Sequence, residues 1–207
     1  MNTSPHALLG SRLQPLGNGR HVVIDDFMSR EDLGYWRSLA ALKQQSGAMR
    51  PAAIGHGNGR IVASAIRNDR IAWIELDPHQ STEARLAQQL EGLRLALNEQ
   101  FLLGLFDLEL HLASYPPGGF YAAHVDRFRD DHHRIISMII YLSDDWSVDD
   151  GGVLRIWSGT HEHPGEYVDI PPIGGRLVLF MSGATLHEVT ITRGARTALT
   201  GWFRCRT

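Results

Sequence analysis

From Leu108 onward, short apolar or alternating runs close every few residues on glycine-, proline- or aspartate-rich breaks, and that rhythm leaves few folds open. The runs read LELHLASY, FYAAHV, RIISMIIYL, GVLRIW, EYVDI, RLVLFM, EVTIT and RTALTGWF, and the breaks include PPGG, SDDWSVDDGG, GTHEHPG and PPIGG. Eight strands with such turns predict an antiparallel sandwich, mainly β with supporting helices. Alternation gives each face a role. In RIISMIIYL, Ile136, Met138, Ile140 and Leu142 form an apolar set that would face the helices, while Ser137, Ile139 and Tyr141 would face the interior. In the last run Leu199 and Phe203 share one face, and Arg196, Ala198, Thr200 and Trp202 share the other.

Two helical patterns precede the strands. Ser29 stands before Leu33, Trp36, Leu39 and Ala40, with Glu31 and Asp32 in the first turn and Gly47 as the stop. Leu86, Leu90, Leu93, Leu97 and Phe101 follow Ser81 and Thr82 at helical spacing, so one face should pack on a sheet. Between them GAMRPAAIGHGNG lacks periodicity, which makes residues 47–65 a candidate lid. Residues 1–20 carry Pro5, Gly10, Pro15, Gly17 and Gly19 and are expected to be a flexible lead-in; a short strand, His21 to Ile24, follows. The reading is thus a single domain over residues 21–207, with helical support and lid in 21–106 and the β core in 107–207.

A net charge of −3 gives no global field to attract nucleic acid or membrane, and no run of about 18 apolar residues occurs. The single cysteine, Cys205, fits a reducing compartment, and a cytoplasmic location is expected.

His124-Val-Asp126 places an imidazole and a carboxylate on one face of a strand. With His187, 61 residues beyond Asp126, they make a 2-His-1-carboxylate set, the arrangement that leaves open positions on non-haem Fe(II). Arg196 follows nine residues after His187. 2-Oxoglutarate chelating iron at one end needs a partner for its far carboxylate, and the guanidinium fork of Arg196 with the Tyr141 hydroxyl would supply it. Arg193 competes for that role but precedes Gly194 in a turn. His161-Glu162-His163 reads as a solvated loop.

The stretches YPPGGFYAAHVD, MIIYLSDDW, GGVLRIW, LHEV and RTALTGWF, preceded by IRNDRIAWIE, together resemble the hypoxia-inducible-factor-type prolyl hydroxylases and their bacterial relatives. The resemblance spans roughly residues 21 to 205 and implies a double-stranded β-helix (jelly roll, cupin-like). It implies a dioxygenase that hydroxylates a prolyl residue in a protein while decarboxylating 2-oxoglutarate to succinate and CO2. His124, Asp126 and His187 match its iron ligands, and Arg196 and Tyr141 match the 2-oxoglutarate clamp, joined in the cosubstrate pocket by Tyr115 and Thr200. Tyr121, Leu154 and Trp202 match the pocket walls on the substrate side, and Arg134 and Asp69 match charged positions near the substrate groove. The implied cofactors are Fe(II), 2-oxoglutarate and O2, with ascorbate as an accessory reductant. The implied partner is a protein with a Pro-containing loop, elongation factor Tu first among candidates. The connections Tyr115–His124 and Tyr141–Gly151 are each one residue shorter than in the animal enzymes. A free amino-acid hydroxylase and a non-enzymatic cupin-like binding module stand as the alternatives.

Overall fold

The structure, a computed structural model, describes residues 5–54, 61–127, 133–143 and 145–206. Two antiparallel sheets face each other. The elements of the larger are β1 (Val22–Ile24), β2 (Arg50–Pro51), β3 (Arg70–Trp73), β4 (Leu105–Tyr115), β6 (Arg134–Tyr141), β9 (Leu177–Met181) and β11 (Arg196–Cys205), in the order β1-β9-β6-β11-β4-β3-β2. The smaller is β5-β10-β7-β8, made of β5 (Tyr121–His124), β7 (Leu154–Trp157), β8 (Tyr167–Ile170) and β10 (His187–Val189). All eight expected runs form strands, and the two facing sheets make the expected double-stranded β-helix.

The alternation of β6 divides the core as its residue types require. Ile136, Met138, Ile140 and Leu142 pack with Leu199 and Phe203 against the helices α1 (Pro5–Gly17), α2 (Arg30–Gln45) and α3 (Ser81–Phe101). On the inner side Ile139, Tyr141, Val178, Phe180 and Ala198 meet Leu154, Ile156 and Ile170 of the smaller sheet. Thus the larger sheet is covered by helices outside and carries mixed polar and apolar residues inside, where a site has room.

Helix ends follow local chemistry. The Ser29 hydroxyl caps α2 by accepting the Asp32 N–H at 3.1 Å. Gly47, at φ +70°, closes it: Ala48 N–H donates to Lys43 and Gly47 N–H to Gln44, the paired bonds of a Schellman stop.

The expected flexible lead-in is instead a packed helix. Residues 5–17 are helical, and α1 packs on α3 and β1 with Leu13 and Leu16 buried. Its glycines and prolines encode the stop. Gly19 sits at φ +69°, Arg20 N–H donates to Pro15 and Gly19 N–H to Leu16, the same closure as in α2. Leu13→Ala should therefore cost about 2 kcal/mol, a loss that chemical denaturation would read directly. A true lead-in would show no change.

The described flanks of the candidate lid carry regular backbone pairing that their composition does not suggest. Arg50–Pro51 pairs with Arg70 and Ile71, and Ile54 and Ile61 exchange both backbone hydrogen bonds at 2.9 Å in an isolated bridge that joins the flanks. Residues 55–60 lie outside the described residues.

Candidate active site

Register brings the metal-type residues together. His187 of β10 pairs directly with His124 of β5, and their rings lie 4.2 Å apart. Asp126, two residues past His124 where β5 ends, turns its carboxylate to both: Oδ1 is 3.3 Å from His124 Nε2 and Oδ2 is 3.7 Å from His187 Nε2. One ligand atom from each lies within 4.8 Å of the others, the only such cluster found among the described residues. Each imidazole is held from behind. His124 Nδ1–H donates to the Ala122 carbonyl at 2.8 Å and His187 Nδ1–H to that of Thr185 at 3.0 Å. Carbonyls only accept, so the proton sits on Nδ1 and both Nε2 lone pairs are free for a cation.

The electrostatics suit a dication. Burial raises the Asp126 pKa, but His187, His124 and the Ser137 hydroxyl outweigh it, so the carboxyl lies well below the ordinary range. His187, buried against Phe180, is lowered to about 4 by desolvation and then by His124, and is neutral at pH 7. Both groups can bind a cation without first losing a proton.

Ser137, on the mixed face of β6, is legible in the sequence as inward-facing, but no spacing rule gives it a role. Its hydroxyl donates to Asp126 Oδ2 at 2.6 Å and lies 2.8 Å from Ser182 Oγ, both serines being buried. Ser137→Ala should leave the fold intact and weaken Mn(II) binding about tenfold, measured by calorimetry, since it frees one carboxylate oxygen to rotate.

Deeper between the sheets lies the other half of the site. Arg196 opens β11 opposite Tyr115, and Ala198 pairs with Tyr141. The guanidinium carbon is 4.8 Å from the Tyr115 ring centre and 5.1 Å from that of Tyr141. Arg196 is 3% exposed, yet none of the described carboxylates pairs with it, and its Nε and the Tyr141 hydroxyl are buried without a hydrogen-bond partner. An isolated buried cation costs several kcal/mol unless an anion joins it, so this pair is built for one. Gly152, at φ +66°, makes the space: a Cβ there would come within 2.7 Å of Thr192 Cγ2 and 3.2 Å of Arg196 Cδ. Arg193, the competing arginine, is exposed and donates to the Asp149 carbonyl.

The two halves open into one cavity, lined by His124, Asp126, His187 and Arg196 together with Tyr115, Tyr121, Leu154, Thr200 and Trp202. Seven of the nine non-metal residues expected from sequence thus converge: Tyr141 lies behind the wall against Arg196, and the other six line the cavity. Two do not. Asp69 is 1% exposed and is held by both Arg67 nitrogens, at 2.7 and 2.6 Å, so it cannot reach a substrate; Arg67 lines the cavity instead. Arg134 pairs with Glu109 and lies 3.6 Å over the Trp202 ring, bracing that wall from behind. Sequence reasoning missed Arg67 and His111. The Arg67 guanidinium stacks 4.1 Å over Tyr121, whose ring in turn lies 3.6 Å from that of His124.

The donor set fits Fe(II) and the orphaned pair fits a carboxylate. His161 Nε2–H donates to the Ala123 carbonyl and the ring stays exposed, as a solvated loop would.

Comparison with known proteins gives the same picture. Residues 110–204 match the 2OG-Fe(II) oxygenase superfamily. A prolyl-4-hydroxylase from Pseudomonas putida is 35% identical, with 96% of this chain and 100% of that one covered and a TM-score of 0.84. A prolyl hydroxylase from Trichoplax adhaerens, solved with a hypoxia-inducible-factor peptide, is 25% identical over 96% of this chain and 90% of that one, TM-score 0.83. A viral collagen prolyl hydroxylase from Paramecium Bursaria Chlorella virus-1 shares the fold at 17% identity over 90% of this chain and 96% of that one, TM-score 0.63. With an iron-type triad at one end of its cavity, a free buried arginine at the other and a full-length relative at this identity, the chain belongs to the 2OG-Fe(II) oxygenase superfamily as a 2-oxoglutarate-dependent dioxygenase.

Proposed function

We propose that this dioxygenase hydroxylates a prolyl residue on an exposed loop of a cytosolic protein. His124, Asp126 and His187 would hold the iron, and Arg196 with Tyr141 the far carboxylate of 2-oxoglutarate. Bound iron, 2-oxoglutarate and O2 supply the oxidation, in which one oxygen atom becomes the substrate hydroxyl and the other enters succinate as CO2 leaves. The chain's own residues position and shield. Tyr115 and Thr200 flank the path from Arg196 to the triad, while Leu154 and Trp202 offer apolar walls for a pyrrolidine ring. No side chain has to act as general acid or base.

The observation that carries the substrate class is the likeness to two prolyl hydroxylases over nearly the whole chain, one of them solved with a peptide. The rim supports it. Ile61, Val62, Ile66 and Trp73 are exposed apolar residues along the segment beside the cavity, a surface that suits an extended chain better than a free amino acid. A free amino acid would need a closed site for its ammonium and carboxylate, and among the described residues the acidic groups beside the cavity other than Asp126 are already paired: Asp69 with Arg67, and Glu109 with Arg134 and Arg204.

Incubation with candidate proteins, elongation factor Tu first, and with free proline should give a gain of about 16 Da, one oxygen atom, on a prolyl residue of a protein. Hydroxylation of free proline alone would overturn the substrate class while leaving the iron chemistry in place.

A further inference from the structure

Two polar groups in the cavity have no partner and no part in the clamp or triad. His111 is 2% exposed, lines the cavity and leaves Nδ1 buried without a hydrogen bond. Trp202 is 7% exposed, lines the same wall and leaves its indole Nε1–H buried and unpaired. Their rings stack at 5.3 Å, with Trp73 edge-on to His111 at 5.1 Å, so neither can turn away to find a partner elsewhere. Buried polar atoms in folded proteins are satisfied in nearly all cases, and two adjacent exceptions in a cavity mark the place of a ligand atom.

The chemistry of the missing partner follows from the donors. An indole N–H only donates, so the missing partner of Trp202 is an acceptor, and His111 in its Nδ1–H tautomer can donate to the same acceptor. Burial, and then the Arg67 and Arg134 guanidinium groups, lower the His111 pKa to about 3 and keep it neutral.

Register fixes which end of the cosubstrate this is. On the inner face of β4 and β11 the cross-strand pairs run Tyr115/Arg196, Ala113/Ala198, His111/Thr200 and Glu109/Trp202. His111 is four residues from Tyr115, about 13 Å of strand, away from the buried arginine. Trp202 stands opposite Ser137, the residue that holds Asp126. The pair therefore lies level with the metal triad, where the iron-side end of a dicarboxylate anchored on Arg196 arrives. We infer that His111 and Trp202 form a second polar grip on 2-oxoglutarate, donating hydrogen bonds to its metal-side carboxylate and so positioning it against the triad.

This inference rests on the proposed assignment of the triad and of Arg196, and the test separates the two. Calorimetric titration of 2-oxoglutarate into Mn(II)-loaded protein compares wild type with His111→Phe, which keeps a ring against Trp202, His111→Gln, which keeps a donor, and Arg196→Ala. His111→Phe should bind about tenfold more weakly, and His111→Gln should recover most of that, while both keep wild-type Mn(II) affinity. Wild-type 2-oxoglutarate affinity in His111→Phe, or loss of Mn(II) along with it, overturns the inference. An unaffected Arg196→Ala would instead overturn the clamp beneath it. Should His111→Phe fail to fold, the wild-type Zn(II)-loaded protein still decides: adding 2-oxoglutarate should move the Trp202 indole N–H resonance, identified by its absence in Trp202→Phe. An unmoved resonance overturns the grip.

Discussion

Replacing His124 or His187 by alanine is expected to abolish succinate formation and to weaken metal binding by well over a hundredfold. Loss of a group that merely orients a ligand typically costs ten- to a hundredfold in affinity, and loss of a ligand itself must cost more. His187 has the added weight of burial: it is 4% exposed, neutral at pH 7 and fixed by the Thr185 carbonyl, so no solvent-exposed donor can swing into its place. His124 is more accessible but is clamped between the Tyr121 ring and His187. Calorimetry with Mn(II) and a succinate assay with Fe(II) would check both variants. Turnover at the wild-type rate in either would exclude the triad as the iron site.

Arg196→Ala should weaken 2-oxoglutarate by about 3 kcal/mol, roughly a hundredfold, because a desolvated carboxylate would lose its charged partner. The structure makes this loss hard to compensate, since Arg67 is the one other described arginine or lysine that lines the cavity, and it is committed to Asp69. Tyr141→Phe removes one hydrogen bond to a charged group and should cost about 1 kcal/mol or somewhat more. Arg193→Ala should change nothing, because its guanidinium lies outside and is spent on a backbone carbonyl. Direct titration of 2-oxoglutarate into each variant gives the ranking, and a large effect at Arg193 with none at Arg196 would reverse the assignment.

Much of the fold and of the site is legible in the amino-acid sequence. The period-two pattern of β6 separates a helix-facing set from an interior set, and the packing follows it residue by residue. HxD on a strand, a distant histidine and an arginine on an inward position are each readable because ligand geometry dictates spacing. What escapes has physical causes too. The α1 helix is hidden because Pro15, Gly17 and Gly19 have the composition of a loop, although they close a helix whose stability comes from Leu13 and Leu16 packing on α3 and β1. The sheet order brings β3 beside β4 and bridges Arg67 to Tyr121, contacts between distant segments that no local pattern announces. Asp69 is readable as a charge near the groove, but its burial under Arg67 depends on that tertiary bridge. His111 alternates with Leu110 and Leu112, which places it on an inward face; that it lacks a partner is visible only in three dimensions.

The central claim is that one cavity holds iron on His124, Asp126 and His187 and 2-oxoglutarate between that iron and Arg196. Crystals grown anaerobically with Fe(II) and 2-oxoglutarate, with diffraction recorded on both sides of the iron absorption edge, test it most directly. The expected result is a single strong anomalous peak within bonding distance of His124 Nε2, His187 Nε2 and an Asp126 carboxylate oxygen, with the dicarboxylate reaching from it to the Arg196 guanidinium. A peak elsewhere, at the exposed His161 and His163 for instance, with these three residues unliganded in protein that still forms succinate, would contradict it.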